Sequence, residues 1–252
     1  MKGGAGLLAR ASTPMPADLT SFTICAVLVF ELVGCSRRAD PHDLRTATCL
    51  GPAEATHFAV YLHGVDEPSI SEQELQNRRS LDAISSSLSL RIALPRASRP
   101  CPNQPSSLCW GWAFDEQEID AAADAVKLAA TSCFGEGHPF GLVGFSNGGY
   151  VVSKLLRTCQ LREKLPGATW MLTVGSSMIH GSLEPKPDDL STCGRLVMLA
   201  GTEDTFNFDP QDQLLHALEA KHADVRGVRF EGGHTVPQEP TRSALAELLR
   251  PP

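Results

Sequence analysis

Short apolar runs alternate with longer amphipathic stretches from about residue 55 to the end of the chain. The short runs are typical of buried strands, and the longer stretches repeat their apolar residues at helical spacing. We predict strands at residues 57–62, 88–94, 140–145, 168–174, 195–200 and 225–230. We predict helices at residues 71–88, 115–133, 147–159, 212–221 and 241–250, the first of which opens with the capping-box pattern Ser71-x-x-Glu74.

The order of these elements predicts the fold class. Strands that alternate with helices at this spacing favour an α/β fold, in which a mostly parallel sheet carries helices on both faces. In such sheets, ligands bind at the carboxyl ends of the strands. Candidate functional residues are therefore those that directly follow a strand.

Ser146 follows the predicted strand 140–145 and precedes a predicted helix. It lies in Gly144-Phe145-Ser146-Asn147-Gly148, a G-x-S-x-G pattern. A strand-to-helix turn of this kind exposes the serine hydroxyl, and glycines at 144 and 148 prevent crowding. The pattern predicts a nucleophile whose following helix directs its amide dipoles at developing negative charge. The alternative is a glycine-rich turn with a helix-capping serine.

A serine nucleophile needs a base, and His234 is the best candidate. It stands in the loop EGGHT, directly after the predicted strand 225–230, and its glycine neighbours allow the loop to approach the next strand end. His180, which follows strand 168–174, is the rival. The alternative interpretation of His234 is a surface loop histidine.

The imidazole in turn needs a carboxylate that fixes its tautomer. Asp204 follows strand 195–200 in the turn GTED, and Glu203 is its rival one residue earlier. Asp188 and Asp189 are weaker candidates because they precede that strand. The alternative is that Asp204 only stabilises a turn or caps a helix.

An acyl-transfer site also needs two donors for the oxyanion. The Asn147 backbone N–H, next to the nucleophile, is one candidate. The other is the Val65 N–H in His63-Gly64-Val65-Asp66, the loop after strand 57–62. We expect His63 to orient this loop through hydrogen bonds, with Gly64 supporting the turn.

The segments YLHGVD, GFSNGG, AGTED and GGH together resemble the oxyanion loop, nucleophile elbow, acid turn and histidine loop of the α/β-hydrolases. The resemblance covers about residues 50–250. It is greatest to small serine esterases, namely polyhydroxybutyrate depolymerase-like, feruloyl esterase-like and phospholipase/carboxylesterase-like proteins.

The resemblance implies Ser146 as nucleophile, Asp204 as acid, His234 as base, and Val65 and Asn147 as oxyanion donors. It implies cleavage of a small-molecule or oligomeric carboxylic ester through an acyl-enzyme, with no metal or other cofactor. A thioesterase or peptidase of the same fold would use the same residues. Two non-enzymatic alternatives stay open. One is a catalytically silent surface lipoprotein that binds a partner, and the other is a membrane-tethered structural domain.

The loop Cys109-Trp110-Gly111-Trp112 resembles the aromatic loops beside the cleft of such esterases. Trp110 and Trp112 are therefore candidate substrate contacts, and the equal alternative is that they pack the loop onto the body of the protein. The stretch 175–194 is too short for a large lid, which predicts an open cleft for small or accessible esters.

The N-terminal 35 residues have the pattern of an export signal. An apolar stretch at residues 20–34 is too short to span a membrane, and Leu32-Val33-Gly34-Cys35 resembles a bacterial lipobox. Lipidation of Cys35 would tether an exported protein to the cell envelope. Glu31 within the stretch departs from this pattern, and the alternative is an uncleaved anchor or tail. We predict a signal at residues 1–35, a linker at 36–49 and the hydrolase domain at 50–252.

The cysteine content agrees with the predicted export. Eight cysteines are present, and the six beyond residue 35 form an even set that suits an oxidising compartment. Fifteen pairings are open, of which Cys101–Cys109 is the best single candidate; the alternative is six buried thiols. Cysteines and histidines at zinc-ligand spacing do not occur. A net charge of −7 argues against a nucleic-acid partner.

Overall fold

A seven-stranded sheet forms the centre of the computed structural model, which describes residues 45, 48–67, 69–97, 99–101, 110–112, 118–176 and 187–250. Its strands are β1 (Cys49–Leu50), β2 (His57–Leu62), β3 (Leu90–Ala93), β6 (Phe140–Phe145), β7 (Ala168–Val174), β8 (Arg195–Gly201) and β9 (Asp224–Phe230). They lie in the order β1-β3-β2-β6-β7-β8-β9. Every neighbouring pair is parallel except β1 with β3, which confirms the predicted fold class.

Helices cover both faces of this sheet. The helices are α1 (Glu72–Ser87), α2 (Ile119–Phe134), α3 (Asn147–Arg157), α4 (Leu161–Lys164), α5 (Phe208–Glu219) and α6 (Gln238–Leu248). Val126 of α2, Leu155 of α3 and Leu214 of α5 belong to one buried apolar cluster. Leu81 of α1 and Leu245 of α6 belong to the cluster on the opposite face. Burial of apolar surface on both faces is the main stabilising contribution.

The predicted element bounds agree best for strands at the centre of the sheet. Strands β6 and β7 begin and end at the predicted residues, because both lie at the centre of the sheet. Helix α5 begins four residues before the predicted start, and Pro210 lies in its first turn, where a missing N–H is tolerated. The Oγ of Ser71 accepts a hydrogen bond from the Glu74 N–H, as the capping pattern predicted.

Four short elements carry no detectable pattern in the sequence. They are β1, the antiparallel pair β4 (Arg99–Pro100) with β5 (Trp110–Gly111), and the four-residue helix α4. Hydrophobic periodicity cannot reveal elements of two to four residues, since a period needs several repeats to be recognised.

Two disulfides cross-link the outer parts of the fold. Cys49 bonds with Cys133, which ties β1 to the end of α2, and Cys159 bonds with Cys193, which ties the end of α3 to the segment before β8. Cys101 is also disulfide-bonded, and its predicted partner Cys109 lies outside the described residues. The alternative of six free thiols is therefore wrong for the cysteines that the structure describes.

The part of the chain that the structure describes contains no helix long and apolar enough to cross a membrane. All of it belongs to the unit that spans Ala39–Pro252. The predicted signal at residues 1–35, including Cys35, lies outside the described residues and remains a prediction.

Candidate active site

Ser146 occupies a strained corner between β6 and α3. Its backbone has φ 51° and ψ −117°, a region that residues other than glycine rarely adopt. The Ser146 N–H donates to the carbonyl of Val174 on β7 over 3.0 Å, which holds the corner against the neighbouring strand end. Because β6 and β7 are parallel, this bond places Ser146 at the carboxyl edge of the sheet, half-buried rather than enclosed.

Glycines make this corner possible. A Cβ on Gly148 would clash with the carbonyl of Leu62, and a Cβ on Gly144 would lie 2.5 Å from the Gly149 Cα. Gly149, which sequence reasoning missed, has the same constraint, since its Cβ would lie 2.5 Å from the Cβ of Ser176. Helix α3 can therefore begin directly against β2 and β7 only because these three positions lack side chains.

Asp204 and His234 form a direct hydrogen-bonded pair at the same edge. The distance between Asp204 Oδ2 and His234 Nδ1 is 2.7 Å, and the Asp204 side chain is almost fully buried. The His234 ring packs on the ring of Phe145, the residue before Ser146, with centroids 4.7 Å apart. Gly175, at φ 53°, leaves the space for this pair, because a Cβ there would lie 2.9 Å from His234 Nδ1.

Asn207 completes the environment of the carboxylate, and sequence reasoning missed it. Its Nδ2 donates to both oxygens of Asp204 at 3.1 Å, and its backbone N–H donates to Asp204 Oδ1 at 3.3 Å. The same Nδ2 lies 3.1 Å from His234 Nδ1. Because an ionised carboxylate can only accept a hydrogen bond, the 2.7 Å contact with Asp204 Oδ2 assigns the His234 proton to Nδ1, which donates to it and leaves Nε2 as an acceptor.

The rival acids lie elsewhere. Glu203 is exposed, and its N–H bonds with the Gly232 carbonyl at 2.9 Å. Asp188 pairs with Lys221 at 2.8 Å, and Asp189 accepts from the Ser191 N–H at 2.9 Å. The rival base His180 lies outside the described residues.

His63 holds the loop after β2 in a single tautomer. Its Nε2 accepts a hydrogen bond from the Ala97 N–H at 3.0 Å, so Nδ1 carries the proton and donates to the Gly64 carbonyl at 2.6 Å. Burial is the main cause that lowers the pKa of His63 to about 4, and the positive charge of Arg96 acts in the same direction. The side chain is 1% exposed, so His63 supports the loop from inside the protein.

This loop passes directly beside the serine. A Cβ on Gly64 would lie 3.0 Å from the Cβ of Ser146, and the Gly148 N–H donates to the His63 carbonyl at 3.1 Å. Val65 is the next residue, and its side chain is 45% exposed. Asn147 is the first residue of α3, and its Oδ1 accepts from the Trp112 N–H at 2.7 Å.

Trp112 packs rather than lines a cleft. It is 4% exposed, its indole N–H donates to the His63 carbonyl at 2.9 Å, and its ring lies 5.0 Å from the His63 ring. Of the two interpretations of Trp112, substrate contact is thus not supported, because the indole is enclosed by the loop after β2 and α3. Cys109 and the side chain of Trp110 lie outside the described residues.

Metal ligands do not converge in the described ranges. Histidine, cysteine and acidic side chains there form no group of three that could hold a metal ion.

The protonation of His63 predicts a pH dependence of stability. Because its pKa is lower in the folded than in the unfolded chain, the unfolded state takes up a proton first as the pH falls. Stability is therefore lost between about pH 6.5 and pH 4, by about 3 kcal/mol in total from this group.

Urea unfolding of wild type and His63→Gln at pH 7 and pH 4 measures this contribution. The acid-induced loss should be smaller in His63→Gln, whereas His216→Gln, at an exposed histidine on α5, should retain the wild-type loss. Equal losses in wild type and His63→Gln would contradict the assignment.

Comparison with known proteins shows the fold and the family of this chain. No curated protein matches the sequence. Among solved structures, acyl-protein thioesterase 2 of Zea mays superimposes with a TM-score of 0.60 at 19% identity, over 80% of this chain and 98% of that one. A carboxylesterase from Mesorhizobium loti gives 0.55 at 19% identity, over 81% and 93% of the two chains. A carboxylesterase of Bacillus cereus gives 0.56 at 14% identity, over 79% and 91%.

These structures share the fold of this chain, which confirms the α/β-hydrolase architecture. A family model described as Serine hydrolase (FSH1) matches residues 63–244, a range that contains Ser146, Asp204 and His234 and most of the described chain. The protein therefore belongs to the FSH1 serine hydrolase family.

Proposed function

We propose that the protein hydrolyses carboxylic esters by acyl transfer through Ser146, with His234 as the base and Asp204 as its acid. The observation that carries the proposal is the 2.7 Å bond between Asp204 and His234 at the sheet edge where Ser146 turns into α3. A carboxylate on Nδ1 stabilises the imidazolium that forms when Nε2 takes a proton. Packing of the His234 ring on Phe145 supports the approach of Nε2 to the serine.

In the first step, the Ser146 Oγ attacks the ester carbonyl carbon while its proton passes to His234 Nε2. The carbonyl oxygen becomes an oxyanion, which accepts hydrogen bonds from the Val65 and Asn147 N–H groups. When the tetrahedral intermediate collapses, the C–O bond to the alcohol breaks and His234 returns the proton to the leaving oxygen. The products are a free alcohol and an acyl-Ser146 ester.

In the second step, water replaces the alcohol. His234 removes a proton from the water, whose oxygen attacks the acyl carbon, and the same two N–H groups stabilise the oxyanion. Collapse of the intermediate returns the proton to Ser146 and releases the carboxylic acid. Throughout both steps, Asn207 orients the Asp204 carboxylate through its two Nδ2 contacts.

The exposed apolar side chains suggest the acyl class. Among described residues, only three large hydrophobic side chains are exposed: Val65, Leu128 and Phe206. Val65 belongs to the oxyanion loop, and Phe206, which is 86% exposed, lies between Asp204 and Asn207. Because both residues adjoin proposed site residues in the chain, we infer an apolar acyl chain, since the two apolar surfaces would leave water together. The apolar acyl class refines the small, accessible ester that the sequence predicts.

Thioesters are a second substrate class. The same acyl transfer cleaves a thioester, and one structural neighbour is described as an acyl-protein thioesterase. The two classes differ in the leaving group alone, so a thioester substrate series run beside the ester series decides between them.

The nucleophile is tested by Ser146→Ala. Without the hydroxyl, no acyl-enzyme forms, and kcat for p-nitrophenyl butyrate should fall by about 10⁶-fold. A fluorophosphonate probe should label the wild type at Ser146 and should not label the variant, while circular dichroism shows the same fold. Labelling that persists in the variant would place the nucleophile elsewhere. A folded wild type that is neither labelled nor active would support a silent binding protein instead.

The apolar edge is tested by Phe206→Ser. Loss of about 1 kcal/mol of acyl contact should lower kcat/KM for p-nitrophenyl octanoate about fivefold and leave acetate almost unchanged. Leu128→Ser is the matched control, because Leu128 is an exposed apolar side chain on α2 and should change neither value. Equal decreases for acetate and octanoate in Phe206→Ser would contradict an acyl contact.

We also propose that the chain is exported and lipidated at Cys35. The disulfides Cys49–Cys133 and Cys159–Cys193 support an oxidising compartment. Cells expressing the full chain and fed a palmitate analogue should incorporate it into wild type and into Cys25→Ser, a control in the same apolar stretch, but not into Cys35→Ser. Incorporation that survives in Cys35→Ser would contradict lipidation at this residue.

A further inference from the structure

We propose that the N-terminal half of α1 is a positioning element that aligns the histidine loop, residues 231–236, with the oxyanion loop, residues 63–67. The inference rests on the proposed function, because it assigns Gln73 and Asn77 to the positioning of the base that the function requires. Both residues act through the backbone of the histidine loop and do not contact the reacting atoms.

Three consecutive residues of the histidine loop are bonded to α1. Gln73 Nε2 donates to the His234 carbonyl at 2.6 Å. One turn later, Asn77 Oδ1 accepts from the Val236 N–H at 3.0 Å and from the Thr235 hydroxyl at 3.4 Å. Gln73 and Asn77 are four residues apart, so they lie on one face of the helix. That face therefore fixes the backbone on which the His234 ring is mounted.

The same end of α1 is bonded to the oxyanion loop. The Ser71 N–H, at the helix start, donates to Asp66 Oδ1 at 2.9 Å. Arg96 holds the other oxygen of Asp66 at 2.7 Å and also donates to the Glu67 carbonyl at 2.7 Å. Asp66 is the residue after Val65, the proposed oxyanion donor, so a shift of α1 would move this donor as well.

A buried hydrogen bond from Tyr61 on β2 to Glu74 on α1 holds the helix against the sheet. Glu74 Oε1 binds Arg78 Nε at 2.8 Å, and Glu74 Oε2 accepts from the Tyr61 hydroxyl at 2.9 Å. All three side chains are buried, and Tyr61 lies on β2 two residues before His63. Arg78 balances the buried Glu74 charge from within α1, and the Tyr61 hydroxyl bond ties that carboxylate to β2.

The sheet itself cannot provide this alignment. The oxyanion loop follows β2 and the histidine loop follows β9, and β6, β7 and β8 lie between those two strands. Each ladder fixes only neighbouring strands, and small differences in twist accumulate across the sheet. A single helix that contacts both loops relates them directly.

At Gln73, an effect on catalysis can be distinguished from an effect on stability. Its side chain is exposed, so its bond to the His234 carbonyl competes with water and contributes little to stability. Displacement of a catalytic base by a fraction of an ångström nevertheless lowers the rate strongly. Loss of this bond should therefore change catalysis without a matching change in folding.

The experiment compares Gln73→Ala with Gln76→Ala, the same substitution on the same helix at an exposed residue without a contact to either loop. In Gln73→Ala, kcat for p-nitrophenyl butyrate and the rate of fluorophosphonate labelling should fall about tenfold, with KM and Tm unchanged. Gln76→Ala should match the wild type in all four measurements. Gln73→Lys should recover most of the rate, since its ammonium group can donate to the same carbonyl. Asn77→Ala should lower kcat further, and its Tm reports the accompanying loss of a buried bond.

The outcomes separate this inference from the proposed function. An active wild type with equal kcat in Gln73→Ala and Gln76→Ala would overturn the positioning role and leave the esterase proposal intact. A loss of rate in Gln73→Ala that Gln73→Lys does not restore would also overturn the positioning role. A loss of rate accompanied by a fall in Tm would overturn it too, because the lost activity would then follow from lost stability. A wild type that is neither labelled nor active overturns the esterase proposal, and the inference with it.

Discussion

The hydrogen bond between Asp204 and His234 is the interaction on which the site depends, because it joins the ends of two neighbouring strands and gives the imidazole one orientation. Strands β8 and β9 are parallel and paired along their length, so the turns after them leave the sheet side by side. The turn after β8 is held against the histidine loop by the Glu203 N–H to Gly232 carbonyl bond. Burial of Asp204 and the contacts from Asn207 fix the orientation of the carboxylate that the imidazole bonds.

The corner at Ser146, the proposed nucleophile, shows a second constraint, which is steric. A serine at φ 51° carries a local cost of about 1–3 kcal/mol, which the surrounding structure must offset. Bonds from Ser146 N–H to Val174 and from Gly148 N–H to His63 hold both sides of the corner. The buried apolar side of α3, which includes Val151 and Leu155, secures the helix that follows. Strain at the serine is therefore maintained by packing that lies outside the reacting groups.

Sequence reasoning predicted the parts of this arrangement that depend on local pattern. The fully buried strand β6 leaves an uninterrupted apolar run, and the glycines around Ser146 mark a turn too crowded for side chains at those positions. Asn207 left no such mark, since an asparagine before a helix is ordinary capping chemistry until the Asp204 carboxylate is seen beside it. Gly175 was missed for the same reason, because its need for space comes from His234, which is 59 residues further along the chain.

Gln73 and Asn77 show the limit of local pattern most clearly. On a helical wheel they are two polar residues of an amphipathic helix, and nothing nearby distinguishes Gln73 from Gln76. The distinction arises only when the chain returns after β9, because Asn77 is then buried against Val236 and Gln73 meets the carbonyl of His234. The proposed catalytic side chains stand in the turns that follow strands, where topology marks them as candidates. The side chains that position them stand on elements chosen by long-range packing, and they become recognisable only from the bonds they make in the folded chain.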